Sequence, residues 1–296
     1  MDLKERLGRF LKANGYTQTA VGKAVGVTVP VINAYLRGKY TGNIAALEEK
    51  IEAFLNLEEN RRLEQKMEIS YVRTRSGKRA ADIFRLAHIE NELVVVIGQA
   101  GLGKTSALRD YASRNPDMLL IEADPTFSAK VVLKKLSEKL GCESKGSLNE
   151  MMEAVTAKLV GSGRLIAVDE AECLPYRALE CLRRIHDMAG VGLALVGMPR
   201  LLLNLRGRRG EFKQLFSRAG FKLDLGDELQ EDELVEIAGR NLPGADDETV
   251  KGLVKAAAGN TRRLVKMLRG VYRLARIAGE RPNVEMVKQF EEMLIH

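Results

Sequence analysis

A chain of 296 residues with 47 Lys and Arg against 40 Asp and Glu, a net charge of +7, is long enough for about two domains and favours a polyanionic partner, nucleic acid before membrane. No run approaches the roughly eighteen apolar residues of a membrane span, and the start, Met1-Asp2-Leu3-Lys4-Glu5-Arg6, lacks the apolar stretch of a signal peptide, so a cytoplasmic chain with no membrane partner is expected. Cys142, Cys173 and Cys181 form no CxxC pair, and His88, His186 and His296 follow no zinc spacing, which argues against a disulfide framework and against a metal held by protein ligands alone.

Leu3, Leu7, Phe10 and Leu11 share one helical face. A second short helix follows over residues 16–25 with Thr17 as N-cap. Gly26 suits a left-handed C-cap, and Thr28 suits the N-cap of a third helix that tolerates Pro30 in its first turn. Ile44, Leu47, Ile51, Phe54 and Leu55 predict a fourth helix, after which residues 58–66 are dense in both charge signs and poor in apolar anchors. The spacing of Gln18, Ala20, Gly26, Val27, Ile32 and Gly38 resembles the helix-turn-helix of the λ-repressor family. That resemblance implies a domain over 1–65 whose third helix presents Thr28, Val29, Asn33 and Arg37 to a DNA major groove. Use of the same fold for protein contacts stays open.

Residues 70–79 hold four basic side chains and no acid. The stretch 66–79 therefore reads as a basic linker, either an arm touching a nucleotide or nucleic-acid backbone or a solvated connection. A helix over 80–87 leads into the apolar run Leu93-Val94-Val95-Val96-Ile97 and then Gly98-Gln99-Ala100-Gly101-Leu102-Gly103-Lys104-Thr105, with Ser106 opening a helix. This satisfies G-x-x-x-x-G-K-[ST] in the strand-loop-helix context that the motif requires. Glycines bring bare N–H groups close to phosphate oxygens at the positive end of the helix. Lys104 then reaches the β- and γ-phosphates of ATP, and the Thr105 hydroxyl is placed for Mg²⁺.

Beyond the loop, strands and helices alternate: a strand near 118–123, helices over 129–140 and 148–159, and an apolar run from Arg164 ending at Asp169-Glu170. Further strands are expected over 191–197 and 221–225. Such alternation predicts an α/β fold with a parallel sheet covered by helices on both faces. Ligands then bind at the carboxyl ends of the strands. Asp169 at such an end suits a second magnesium contact, and Glu170 suits the residue that orients the attacking water. The remainder reads as helical over 231–238, 246–258, 262–278 and 284–294.

The order of P-loop, Asp-Glu strand, sensor strand, arginine before the last strand and helical lid opening on Gly259-Asn260-Thr261-Arg262 resembles the AAA+ ATPases. The resemblance covers about residues 80–290, with a core over 80–226 and an all-α lid over 227–296. It implies that Arg262 reaches the γ-phosphate from the lid. It further implies that Arg218 acts in trans on a neighbour's ATP, with Arg206, Arg208 and Arg209 as other candidates. Met198, in the slot where the family often carries a polar sensor residue, implies slow hydrolysis stimulated by a partner.

A λ-repressor-like domain ahead of such a module, with a basic helical end, resembles the phage Mu-type transposition B family. That resemblance implies a phage- or prophage-encoded, ATP-dependent and largely sequence-nonspecific binder of double-stranded DNA. It also implies a helical homo-oligomer on target DNA that activates a transposase. Lys266, Arg269 and Arg273 are the expected phosphate contacts in the last helices. A nucleotide-switched transcription regulator and a helicase-loader-like ATPase are the alternatives.

Overall fold

The computed structural model describes residues 2–14, 16–63, 67–143, 145–206 and 219–294, and the chain divides into two units, Met1–Glu68 and Ile69–His296. In the first unit, α1 (Leu3–Asn14), α2 (Gln18–Val25), α3 (Val29–Leu36) and α4 (Ile44–Leu63) follow one another. Thr17 is extended and accepts the Ala20 N–H, whereas Gly26 ends α2 in the left-handed region at φ 75°. The chain can therefore swing, and α2 and α3 diverge by 107°, inside the range of helix-turn-helix pairs. Leu7, Phe10, Val21, Ile32, Tyr35 and Ile51 bury one another at the centre. One detail differs from expectation. Thr28 has the extended backbone of an N-cap but its side chain makes no capping bond. Helix α4 continues to Leu63, a stretch in which Glu, Arg and Leu all favour a helix.

In the second unit the parallel strands β1 (Leu93–Ile97), β2 (Met118–Glu122), β3 (Leu165–Asp169), β4 (Gly192–Gly197) and β5 (Ala219–Asp224) form one sheet in the order β2-β3-β4-β1-β5. Helices α5 (Arg75–Glu90) and α6 (Lys104–Arg114) cover one face. The other carries α7 (Ala129–Leu140), α8 (Leu148–Leu159) and α9 (Tyr176–Ala189). Side chains alternate across the pleat. Leu93, Val95 and Ile97 join Val132, Leu136 and Leu182 in one core, and Val94 and Val96 join Phe84 and Leu108 in the other. Burial on both faces explains why these strands read as continuous apolar runs. Strand β5 begins at Ala219, two residues before its expected start at Phe221, and as an edge strand it leaves Phe221 and Lys222 exposed.

The stretch 69–79 is not a separate linker. Helix α5 starts at Arg75, with Thr74 as its N-cap, and the unit boundary falls after Glu68. Two of the four basic residues expected to reach outward, Arg73 and Arg75, are paired within the unit. Arg73 donates from Nε to Asp110 at 3.1 Å, Arg75 pairs with Asp232, and Ser76 donates from N and Oγ to Glu233. Two helices with no counterpart in the sequence reading, α9 and α10 (Arg200–Arg206), follow β3 and β4. Leu179, Leu182 and Ile185 show why α9 forms, since they recur at helical spacing and are buried. The lid comprises α11 (Glu231–Asn241), α12 (Asp247–Ala257), α13 (Thr261–Ala278) and α14 (Val284–Glu291). Side chains of Asp246, Asn260 and Asn283 cap the last three. Among the described residues no single helix is long and apolar enough to cross a membrane.

Candidate functional site

Strand order alone brings three carboxyl ends together. β1 pairs with β4 so that Ile97 lies opposite Gly197, and β4 pairs with β3 so that Leu195 lies opposite Val168. The loop after β1, the turn after β3 and the end of β4 thus face one cleft, the place where open α/β sheets bind ligands.

The loop from Gly98 to Gly103 opens α6 at its positive end. Gly101 and Gly103 take φ values of 87° and 81°. Lys104 Nζ donates to the carbonyls of Gly98 at 2.6 Å and Gln99 at 2.7 Å, folding the ammonium back over the loop. Burial pulls the Lys104 ammonium below the ordinary lysine value. The carboxylates of Glu172, Asp169 and Glu170 oppose that fall, and Arg262 adds to it. A cation so placed is desolvated yet still held by neighbouring acids, which suits a phosphate ligand.

Strand β3 ends at Asp169, which is buried and accepts the Glu170 N–H at 3.1 Å. Glu170 itself sits at φ 53° and ψ 36° and is exposed. A left-handed conformation in a residue other than glycine costs on the order of 1 kcal/mol. Here it ends the strand direction of the backbone and leads into the short 3₁₀ turn Ala171–Cys173.

From the opposite side the lid reaches the loop directly. Thr261 donates from N at 2.8 Å and from Oγ1 at 2.6 Å to the Gly101 carbonyl, and Asn260 Nδ2 donates to the Ala100 carbonyl at 2.9 Å. Ala100, Gly101, Leu102, Gly103, Lys104, Thr105, Ser106, Asp169, Glu170 and Arg262 all line one cleft of about 610 Å³. A smaller cavity of about 140 Å³ adjoins it, sharing Leu102, Gly103, Ser106, Thr261 and Val265, with Ile69, Val72, Leu229 and Ile237 on its apolar walls. One end therefore suits phosphates and the other a flat apolar group such as a purine.

Most expected residues meet here, and a few do not. Arg218, Arg208 and Arg209 lie outside the described residues. Arg206 ends α10 and does not line the cleft. Lys266, Arg269 and Arg273 are exposed along α13, whereas in the first unit Thr28 and Arg37 are exposed and Asn33 is half-buried. The reading missed Glu172 and Arg200, both of which line the cleft, and the lid contacts of Asn260 and Thr261. An acid three positions past Asp169, and the first base after the β4 end, were the available signals. All three cysteines are free and half-buried; burial pushes the Cys173 thiol, also in the cleft, above its ordinary value. Among the described residues no three His, Cys, Asp or Glu side chains converge as a metal site. Thr105 and Asp169 instead offer one hydroxyl and one carboxylate, a set that fits Mg²⁺ completed by water and phosphate oxygens.

The description "AAA domain" matches residues 88–205. The Mu-like prophage FluMu DNA transposition protein B of Haemophilus influenzae is 31% identical over 226 residues, covering 74% of this chain and 78% of that protein. The ATP-dependent target DNA activator B of Escherichia phage Mu is 25% identical over 300 residues, covering 99% of this chain and 95% of its own length. Among solved structures, the ORC2 protein of Aeropyrum pernix superposes with a TM-score of 0.62 over 80% of this chain and 73% of its own, at 18% identity, a likeness of fold.

Proposed function

Since this chain belongs to the Mu-like phage DNA transposition protein B family and carries an AAA+ P-loop ATPase module, we propose that it binds target DNA under the control of ATP and delivers that DNA to a transposase. The observation that carries the reading is the course of α13. Arg262 lines the nucleotide cleft, and from it Lys266, Arg269, Arg273 and Arg276 continue at intervals of four, three, four and three residues, all exposed. One rigid helix therefore begins at the nucleotide and presents a row of cations to solvent. Such a row binds phosphates without reading bases.

In this reading Lys104 and the loop N–H groups hold the β- and γ-phosphates, Arg262 senses the γ-phosphate, and Glu170 orients the attacking water. Thr105 and Asp169 would hold Mg²⁺, which supplies charge neutralisation on the phosphates when bound. Met198 offers only a thioether at the end of β4, so intrinsic turnover is slow and DNA or the transposase stimulates it. An arginine from a neighbouring copy, Arg218 or one of Arg206, Arg208 and Arg209, completes the site. ATP then favours a helical homo-oligomer and hydrolysis releases it. The first unit adds DNA or protein contacts through Thr28, Asn33 and Arg37, and the setting is the cytoplasm of a bacterial host.

The test is the affinity for random-sequence double-stranded DNA with ATP, with ADP and with Lys104→Ala. Tight binding with ATP alone is expected. Equal affinities in all three conditions would remove the proposal.

A further inference from the structure

Glu172 occupies the middle of the 3₁₀ turn that follows β3, and it is buried to 9% exposure while lining the nucleotide cleft. Its Oε2 is enclosed and has no hydrogen-bond partner among the described residues. A buried carboxylate oxygen without a donor is costly, more so when the group is charged. Such a cost persists where the group serves a ligand.

Three features fix where this oxygen sits. Asn204 Nδ2, from α10, donates to the Glu172 backbone carbonyl at 2.9 Å, and Cys173 N donates to the Glu170 carbonyl at 2.9 Å, so the turn is pinned at both sides. Oε2 lies against Gly197, the last residue of β4, where any Cβ would overlap it. Among the carboxylates, Glu172 acts most strongly on Lys104. The end of β4 is thus served by an acceptor that comes from the neighbouring turn, beside Met198, whose thioether is only a weak acceptor.

We propose that Glu172 is a positioning residue for ATP hydrolysis: its carboxylate, admitted by Gly197, accepts a hydrogen bond from the attacking water at the end of β4 in place of a polar side chain at 198. The reaction it serves is simple in its balance. The water oxygen bonds to the γ-phosphorus, the bond to the β,γ-bridging oxygen breaks with its electron pair leaving on ADP, and one water proton passes toward Glu170. Glu172 holds the other O–H in line and takes no proton. This rests on the reading of Glu170 given above.

The experiment is steady-state hydrolysis by the full chain with DNA. Glu172→Ala is expected to lower kcat about tenfold or more while the KM for ATP stays within about twofold, as for loss of orientation without loss of binding. Gly197→Ala displaces the same carboxylate and is expected to lower kcat alike. The two combined lose no more than either alone, because the added Cβ then enters vacated space. Met198→Asn placed in Glu172→Ala restores part of kcat by returning an acceptor to the β4 end. A wild-type kcat for Glu172→Ala, a loss confined to KM, or additive losses with no recovery from Met198→Asn would each overturn the assignment. Glu170→Gln separates the two readings. If it turns over normally, the role of Glu170 fails, whereas an inactive Glu170→Gln beside a fully active Glu172→Ala rejects Glu172 alone.

Discussion

Thr261 donates twice to one acceptor, the carbonyl oxygen of Gly101, from its backbone N–H at 2.8 Å and its hydroxyl at 2.6 Å. The first residue of α13 is thereby fixed to the phosphate-binding loop, one position before Arg262. Thr261 and the cation row stand on one helix, so a shift of the loop on nucleotide binding is expected to reach the row directly. Thr261→Val keeps the branched shape and the backbone bond but removes the hydroxyl donor, at a cost of about 1 kcal/mol. The expected outcome is a several-fold smaller gain in DNA affinity on adding ATP, read by fluorescence anisotropy, with a lesser effect on ATP affinity. An unaltered gain would mean that the lid responds through Arg262 alone.

Gly101 tolerates no side chain for two separate reasons. Its φ of 87° is a conformation that L residues rarely adopt, and a Cβ there would overlap the side-chain amide of Asn260. Gly101→Ala therefore carries about 1–2 kcal/mol of backbone strain and forfeits the Asn260 bond to Ala100, about 1 kcal/mol more. Thermal unfolding is expected to show a lowered midpoint, and titration with ATP a loss of at least about tenfold in affinity. Gly103→Ala, which has a similar φ of 81° but open space at its Cβ, should cost only the backbone part, so the difference between the two variants measures the lid contact.

The sequence made the loop, its strand and Asp169-Glu170 legible because each is local: glycines for the turn, a lysine beside them, an apolar run ending in acids. Residues placed by packing were not. Glu172 reaches the β4 end only because β3 and β4 are neighbours and Gly197 leaves room, and neither fact is encoded near position 172. In the basic stretch 70–79 the pairing is likewise set by packing. Counting charges cannot reveal that Arg73 meets Asp110, 37 positions on, or that Arg75 meets Asp232, 157 positions on. Even two similar caps diverge, since Thr17 bonds the Ala20 N–H and Thr28 bonds nothing as a cap.

Asp110 gives the second unit an acid-sensitive contact. Burial raises its carboxyl, but hydrogen bonds from Arg73 and Arg114 outweigh that and hold it below the ordinary value of 3.8. With the folded pKa depressed, the contribution is complete above the unfolded value and is lost as pH falls through the folded one. Both guanidinium partners are about half exposed, at 51% and 42%, so solvent limits the contribution to roughly 0.5–1 kcal/mol. Asp110→Asn should lower the melting midpoint at pH 7 and leave it nearly unchanged once the pH has fallen below the depressed folded value. Parallel melting curves for both proteins across that range are the check; a constant offset at every pH would assign the loss to packing.

The cation row on α13 predicts a salt dependence that can be counted. Lys266, Arg269 and Arg273 are exposed, so replacing all three with Ala should leave the protein folded, which a melting curve checks. Each phosphate contact releases condensed counterion and contributes about 0.9 to the slope of log affinity against log salt on duplex DNA. If all three touch phosphates, the triple variant loses about 2.7 from that slope, and its affinity falls alike for every DNA sequence tried. Because Arg262 begins the row inside the nucleotide cleft, Arg262→Ala should behave differently. It should reduce the difference between ATP and ADP more than it reduces the slope. Binding isotherms at several salt concentrations, taken with each nucleotide, separate the two effects. An unchanged slope in the triple variant would move the DNA to another face of the protein.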